Sequence, residues 1–496
     1  KSRLRQEYTI DFSGKSQKAD YFVSAGYLND KGVFSTQEYE RFSARGSLNY
    51  DVKKWMKVGL NANFSHSKRI MSAGSSTVWF LRTVPSIYPI YVWDEATQSY
   101  KTDSEGNKIF DYGDNRMSWT GWNLLADEKY NPSPWYHDDA SLRTYFEIKF
   151  LPELTWRTNI SLDYYLYHYD GYTNSEYGFA AGYGGEAYKS MERAVSYTIN
   201  NLLTYNKTFG AHTVNVLLGQ EAYARDRKSL SASKRGFPFN GLTEIDSASE
   251  MYSMSSWKDE YRLLSYFSRL EYDYDNKYYV SASFRTDGSS RFHPDSRWGK
   301  FWSVGASWRI SEENFLKGNN VLTNARLKAS YGTQGNDALG YSTLYLDLYT
   351  ISRVDGEAGI TKTFRGNPEL TWEKSNNFNA GIELGLWHRL NLSAEFFIKE
   401  TKDMLYSRPL APSQGNPNWM YVNDIDMKNT GIEFEVSADL VKTSNVNWNL
   451  TINGTHYKNE LTRLPSDKDQ EKGYQSGSYW RKIGGSIYDY YTYEYA

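Results

Sequence analysis

Positions 154–169 read LTWRTNISLDYYLYHY, and alternate letters separate into two chemistries. Leu154, Trp156, Thr158, Ile160, Leu162, Tyr164 and Leu166 form one set. Thr155, Arg157, Asn159, Ser161, Asp163, Tyr165 and Tyr167 form the other. Successive side chains of a strand point to opposite faces, so this stretch predicts a β-strand with one greasy and one wet side. It runs well past the roughly five or six residues usual for a strand in a soluble domain.

The pattern recurs. In RLNLSAEFFIKE, Leu390, Leu392, Ala394, Phe396 and Ile398 oppose Asn391, Ser393, Glu395 and Lys399. NVNWNLTIN sets Val446, Trp448, Leu450 and Ile452 against Asn447, Asn449, Thr451 and Asn453. GIEFEVSAD does the same with Ile432, Phe434, Val436 and Ala438 against Glu433, Glu435, Ser437 and Asp439. About sixteen such segments can be traced, with lengths near the ~10 residues that cross an outer membrane. Tight turns at Asp51–Trp55, Leu151–Glu153, Phe209–Ala211, Asp273–Lys277, Trp387–Arg389 and Lys442–Val446 alternate with long excursions. Those excursions are expected at about 66–140, 170–193, 225–261, 333–372, 401–427 and 459–496, on the extracellular side.

Short turns on one rim and long loops on the other predict an all-β chain, a transmembrane antiparallel β-barrel. The apolar face would meet lipid and the polar face an aqueous or plugged lumen. Closure is demanded because an open sheet edge in hydrocarbon strands unpaired backbone groups. Trp156 and Trp448 fall on the apolar face just after tight turns, where an aromatic girdle meets the head groups. The competing reading is a very large soluble sandwich or propeller, but no blade-length repeat is present.

Composition narrows the choice further. The 496 residues carry a net charge of -2 and no cysteine, with 44 Tyr and 16 Trp. Mean hydropathy is -0.70. No run reaches the ~18 apolar residues of a membrane helix, and the near-neutral charge gives no reason to expect nucleic acid. The first residues, KSRLRQEYTIDF, lack a basic stretch followed by an apolar one. Either the protein is cytosolic or the gene product begins earlier.

The run RTDGSSRFHPDSRWGKFWSVGASWRISEENFL, Arg285–Leu316, resembles a signature stretch of SusC/RagA-like TonB-dependent transporters of Bacteroidota outer membranes. The resemblance extends to Tyr21–Val52, Asn376–Leu405, Lys428–Val436 and the C-terminal GGSIYDYYTYEYA. One departure is Trp302, where the family usually has Pro. The resemblance implies a 22-stranded barrel preceded by a small β-sandwich, a TonB box and a plug. Residues 1–496 would then be the barrel portion, truncated at both ends, with the plug outside this chain. It also implies an outer-membrane importer of glycans or oligopeptides, energised by TonB–ExbB–ExbD and capped by a SusD-like surface lipoprotein, with a dimer of transporter–lid pairs as a further possibility. A passive porin and a surface adhesin or assembly barrel are the alternatives.

No reaction chemistry is expected. The seven His residues are isolated, and no G-x-S-x-G elbow or P-loop occurs. Gly182, Gly184 and Gly185 lack the strand-to-helix setting of a nucleotide site. Asp467, Asp469 and Glu471 in SDKDQEKG mimic the start of a calcium loop, but the Gly comes one place late and the closing Glu is missing. A solvated loop is the favoured reading there, with no cofactor. Trp79, Trp93, Trp119, Trp122, Trp135 and Tyr136 crowd the 66–140 excursion and are the candidates for contact with lid or ligand, with packing on the loop itself as the simpler role. Arg157, Asp163, Arg269, Glu271, Glu433 and Glu435 are the lumenal polar candidates, expected chiefly as solvated or plug-facing ion pairs.

Overall fold

In a computed structural model, the protein is described over residues 3–492 except 33–36, 72–81, 114–116, 118–122 and positions 179, 240, 339, 341, 355 and 416. Four strands open the chain: β1 (Arg5–Lys15), β2 (Ala19–Lys31), β3 (Glu38–Lys53) and β4 (Met56–Ile70). The next excursion holds a short pair, β5 (Trp93–Asp94) and β6 (Ser99–Tyr100), and helix α1 (Leu124–Tyr130). Five long strands follow: β7 (Pro134–Leu151), β8 (Leu154–Thr173), β9 (Glu186–Phe209), β10 (His212–Arg235) and β11 (Glu250–Tyr274). Then come β12 (Tyr278–Ser289), β13 (Trp298–Arg309) and β14 (Leu322–Asn336). A hairpin of β15 (Leu348–Val354) and β16 (Glu357–Phe364) precedes β17 (Glu373–Leu386) and β18 (Leu390–Pro409). The last elements are β19 (Trp419–Lys442), β20 (Asn447–Arg463), and the short β21 (Tyr474–Ser476) and β22 (Tyr479–Arg481).

Among the described residues, sixteen strands form one antiparallel sheet in the order β1-β2-β3-β4-β7-β8-β9-β10-β11-β12-β13-β14-β17-β18-β19-β20. Every neighbour in that order is the next long strand in sequence, as a meander of hairpins requires. The residues group into two compact units. One contains Lys1–Phe146, Asn159–Thr198 and Ala224–Glu260; the other contains Glu147–Thr158, Ile199–Tyr223 and Tyr261–Ala496. No described helix is long and apolar enough to cross a membrane.

Side chains obey the alternation but invert the usual placement. In the first unit Tyr8, Ile10, Phe12, Val23, Phe42 and Phe64 are exposed. Leu270, Val280, Phe284, Trp302, Phe434 and Ile452 are exposed in the second. One face of the sheet is therefore apolar and uncovered by protein, a surface that only lipid or a partner makes tolerable. Trp448, 56% exposed, lies on it beside the β19–β20 turn, where a girdle residue belongs.

Several strands run beyond the boundaries read from sequence. β7 reaches back to Pro134, β10 continues to Arg235, β11 begins at Glu250, and β18 and β19 close to within Pro409–Trp419. The expected loops at 66–140, 170–193, 225–261 and 401–427 are shorter by those amounts. Ladder pairing continues past the lipid because the backbone still needs partners there, but both faces are then wet and the apolar alternation fades. The 333–372 excursion lies between β14 and β17 and is itself folded, whereas β20 takes the first residues of 459–496.

Trp302 shows why its position can accept another residue type. Its register with β12 is Phe284, but the β13–β14 ladder begins only at Ser303 opposite Gly332. The Trp302 N–H donates instead to Thr333 Oγ1 at 3.0 Å, so a proline here would forfeit one side-chain bond and no ladder bond.

A polar chain crosses the apolar face. Thr158 Oγ1 donates to Asn201 Oδ1 at 2.7 Å, and Asn201 Nδ2 donates to Gln220 Oε1 at 2.9 Å. These residues share strand parity with exposed Ile160, Ile199 and Leu218 on β8, β9 and β10. Asn201→Leu alone should destabilise the protein by ~1–3 kcal/mol, because Gln220 and Thr158 then lose their partner in hydrocarbon. The triple change Thr158→Val, Asn201→Leu, Gln220→Leu should restore most of that loss. Urea titration in lipid vesicles measures both; a triple variant weaker than the single one would refute the assignment.

Parity makes a second prediction. Leu162 is 43% exposed on the apolar face, whereas Asp163, next to it, faces the other way and pairs with Arg143 at 3.5 Å. Leu162→Arg should cost ~2–4 kcal/mol near the bilayer midplane. Asp163→Arg should assemble far better, as judged by the heat-modifiable mobility of the folded protein. Equal assembly of the two variants would contradict the facing.

Candidate functional site

The polar face of the second unit is a band of paired charge. Positions two apart share a face, so Arg326 and Lys328 on β14 point the same way as Glu383 on β17 and Glu395 on β18. Lys328 Nζ lies 2.6 Å from Glu395 and 3.2 Å from Glu383, and Arg326 reaches Glu383 at 3.6 Å. Arg269 pairs with Glu271 on β11. All but Glu383 line a concavity of about 610 Å³ with Asn215 and Asn379. Every group is partly solvated, so each pair adds only ~0–1 kcal/mol. What the band provides is a wet wall whose charges are already compensated.

Of the polar residues singled out from sequence, Arg157 lies 3.8 Å from Glu147 and Asp163 meets Arg143. Glu433 and Glu435 are exposed on β19, Glu433 in register with Glu395. The Lys328 node escaped the sequence reading because its three members sit on three strands. In the first unit a second concavity, about 470 Å³, contains Arg45, whose Nε donates to Asn63 Oδ1 at 2.8 Å, and Asn63 in turn donates to Ser141 at 3.1 Å.

The signature stretch works as a fastening. Arg285 Nε donates to both Asp287 oxygens, at 2.7 and 2.9 Å, while Nη2 reaches Ser265 at 2.9 Å and Glu221 at 3.3 Å. Asp337, just beyond β14, accepts from the Tyr261 hydroxyl and from Ser289 Oγ, each at 2.7 Å. Arg291 donates to the Asp337 carbonyl at 2.5 Å and lies 4.5 Å from the Tyr261 ring centre. Phe292 is fully buried with Phe301, Leu344, Phe364, Leu370 and Trp372. These residues clamp the 337–372 excursion onto the strand ends.

Aromatic residues of the other excursion divide. Trp79, Trp119 and Trp122 lie outside the described residues. Trp93 packs edge-on against Tyr100 at 5.1 Å, within a small group in which Tyr91 stacks on Phe110. Asn123 ties that group down: it caps α1 through Leu125 and Ala126 and donates to the carbonyls of Ile90 and Asp111. Trp135 and Tyr136, expected in the loop, are strand residues of β7 because pairing extends upward to Pro134. Tyr136 lies 5.5 Å from the His168 ring. Trp135 turns to the polar face, its ring 5.3 Å from Tyr167 and 4.9 Å from Tyr169, which neighbours Tyr188. This inward aromatic patch was half legible: Tyr165 and Tyr167 stand in the polar set of the opening alternation, but their meeting with Trp135 was not.

The acidic stretch near the end is a hydrogen-bonded turn. Asp469 Oδ1 accepts the N–H groups of Lys472 at 2.8 Å and Glu471 at 2.9 Å, which hold its carboxyl below the usual range. Asp467 pairs with Lys468 at 2.8 Å. Among the described residues no group of three or more His, Asp or Glu is placed to hold a metal ion.

Residues 91–493 match the family model of the TonB-dependent receptor-like β-barrel. The chain belongs to that family. Within it, the chain resembles the TonB-dependent receptor P3 of Formosa agariphila, 27% identical over 504 residues, covering 98% of this chain and 49% of that protein. The TonB-dependent receptor SusC of Bacteroides thetaiotaomicron is 25% identical over 507 residues, covering 96% and 49%. Among solved structures, the RagAB peptide importer in its "open-open" state superposes with a TM-score of 0.84 at 25% identity, covering 97% of this chain and 53% of that one. The chain thus spans about half the length of the curated relatives it matches. The SusC/RagA-like resemblance read from residues 285–316 is the correct family reading, and the fold is the expected antiparallel β-barrel type.

In this TonB-dependent barrel the 333–372 excursion carries a tether of its own. Lys362 on β16 reaches Asp347 Oδ2 at 2.5 Å, and the Gly366 N–H donates to Asp347 Oδ1 at 2.9 Å. The ammonium holds the Asp347 carboxyl below its ordinary 3.8, and the carboxylate in turn holds Lys362 above its ordinary 10.5. A lowered acid stabilises the fold above its unfolded pKa and loses that as pH falls through its folded one; a raised base does the reverse at high pH. The hairpin should therefore be most protected between about pH 4 and pH 10. Hydrogen exchange of β15–β16 should rise below that window in the native chain, and Asp347→Asn should show the same rise already at pH 7. An unchanged Asp347→Asn profile would remove the tether from the account.

Proposed function

We propose that the chain forms the membrane wall of a TonB-energised outer-membrane importer, working with a SusD-like lipoprotein lid and carrying glycans or oligopeptides. The observation that carries this reading is membership of the receptor barrel family over residues 91–493. The likeness to SusC and to a named peptide importer supports nutrient uptake as the task. The chain contributes no reaction chemistry in this reading. Its compensated polar wall lets a hydrated cargo slide without binding tightly at any one charge.

The inward patch of Trp135, Tyr167, Tyr169 and Tyr188 supplies the contact that such a cargo needs. Flat rings accept the apolar face of a sugar or a peptide side chain, at about 0.5–1.5 kcal/mol per stacked pair. Trp135→Ala with Tyr167→Ala should weaken cargo uptake roughly tenfold while the barrel still assembles, since stacking partners are lost and ladder bonds are not. The test uses the full-length transporter with its lid in the native host. Uptake of labelled oligopeptide and oligosaccharide pools is followed with and without a proton uncoupler, beside lid co-purification and heat-modifiability. Uncoupler-insensitive uptake would favour a passive pore and end the importer reading.

A further inference from the structure

The concavity of about 470 Å³ on the wet face of the first unit holds two charges that nothing balances. Four charged side chains line it: Arg41, Arg45, Asp139 and Asp163. Asp163 is engaged by Arg143, and Arg45 is held by Asn63. Arg41 and Asp139 differ. Neither has a hydrogen bond or an ion pair among the described residues, and the Arg41 Nε is buried without a partner. Elsewhere on that face Arg227 meets Glu192 and Arg225 meets Asp259, a compensation that Arg41 and Asp139 do not share.

Register explains why the two do not meet each other. β4 lies between β3, which carries Arg41, and β7, which carries Asp139. Ser43 stands opposite Ser65, and the Asn63–Ser141 bond sets β4 against β7 so that Ser65 falls beside Asp139. Two strand spacings put roughly 10 Å between Arg41 and Asp139, with only the hydroxyls of Ser43 and Ser65 in the interval. Asp139 also lies nearer the tight turn than Trp135 does on the same strand. A cargo that has passed the ring patch therefore reaches this concavity next.

The chemistry of the cargo follows from what each ligand would do to those charges. A neutral sugar would strip water from both and return nothing of opposite sign, and an unpaired charge taken out of water is costly. An acidic sugar would answer Arg41 and oppose Asp139. A peptide with both ends free answers both, its carboxylate on the planar guanidinium fork and its ammonium on the aspartate. In an extended chain of three residues the terminal charges are also roughly 10 Å apart. We infer that this concavity is a binding site for short zwitterionic peptides. The C-terminal carboxylate pairs with Arg41, the N-terminal ammonium with Asp139, and the amide groups lie over Ser43 and Ser65. The inference rests on the importer reading above and narrows its cargo to peptides.

The test titrates the purified full-length transporter, by calorimetry, with trialanine, its C-terminal amide, its N-acetyl form, trigalacturonate and maltotriose. The native chain should bind trialanine about tenfold more tightly than any of the others. Arg41→Gln should bind trialanine and its amide equally, and Asp139→Asn should bind trialanine and its N-acetyl form equally. A merely structural role would weaken every ligand alike, without that matching of side chain to peptide end. The assignment is overturned if trialanine shows no saturable binding, or if the native chain binds a blocked peptide or either sugar as tightly. A uniform loss in both variants overturns it too. The native-chain series decides the matter even if a variant fails to assemble. Uptake is then followed with free and blocked peptides. Energised uptake indifferent to the blocking groups defeats this inference alone, whereas uncoupler-insensitive uptake defeats the importer reading beneath it.

Discussion

Backbone hydrogen bonding without water is the constraint from which the rest of this molecule follows. A peptide group facing hydrocarbon has no solvent to fall back on, and each unpaired one costs several kcal/mol. β11 and β12 pair without interruption from Leu263 opposite Ser289 to Tyr274 opposite Tyr278. The irregularities in β19–β20 fall near the strand ends, at Asp426/Met427 and Asp439/Val441. Where the β13–β14 ladder stops, a threonine hydroxyl takes over the next N–H. Continuity of the ladder has priority, and side chains are fitted around it.

That priority creates two regimes in one chain. Along the membrane span the apolar side chains turn outward and almost nothing is buried. At the rim the ordinary rule returns, and three folded regions have a dry centre. Phe292 and Trp372 anchor one such centre, Tyr172 and Phe237 a second, and Leu461 and Leu464 a third. The rim therefore folds by hydrophobic burial, the span by backbone pairing, and the charged polar face by mutual compensation between neighbouring strands.

Sequence made the span legible because lipid imposes a period of two, and that period survives in letters such as Leu154 to Tyr167. The tight turns were equally plain, since Gly210 and Pro152 interrupt the alternation. Strand ends were misjudged wherever both faces are wet: nothing in the letters distinguishes a paired strand from a loop at Trp135. Contacts between strands distant in sequence leave no local trace, so the Lys328 node and the Asp337 clamp are visible only in the folded structure. The family signature was recognised as a string, and its physical work as a clamp was not.

Alternation has a blind spot that the Thr158–Asn201–Gln220 chain covers. A strand that slips by one residue turns its whole apolar set inward, and lipid rejects it at once. A slip of two keeps every greasy side chain in lipid and every backbone group paired, so neither hydrophobicity nor the ladder forbids it. Only contacts specific to one alignment can tell the two apart. Asn201 meets Gln220 in one register alone, and Phe267 lies over Gly219, where a Cβ would come within 2.1 Å of its ring. These few side chains act as dowels between planks that would otherwise slide. A polar trio placed in lipid is thus a proofreading device for insertion, checking the alignment that the repeating pattern leaves undecided.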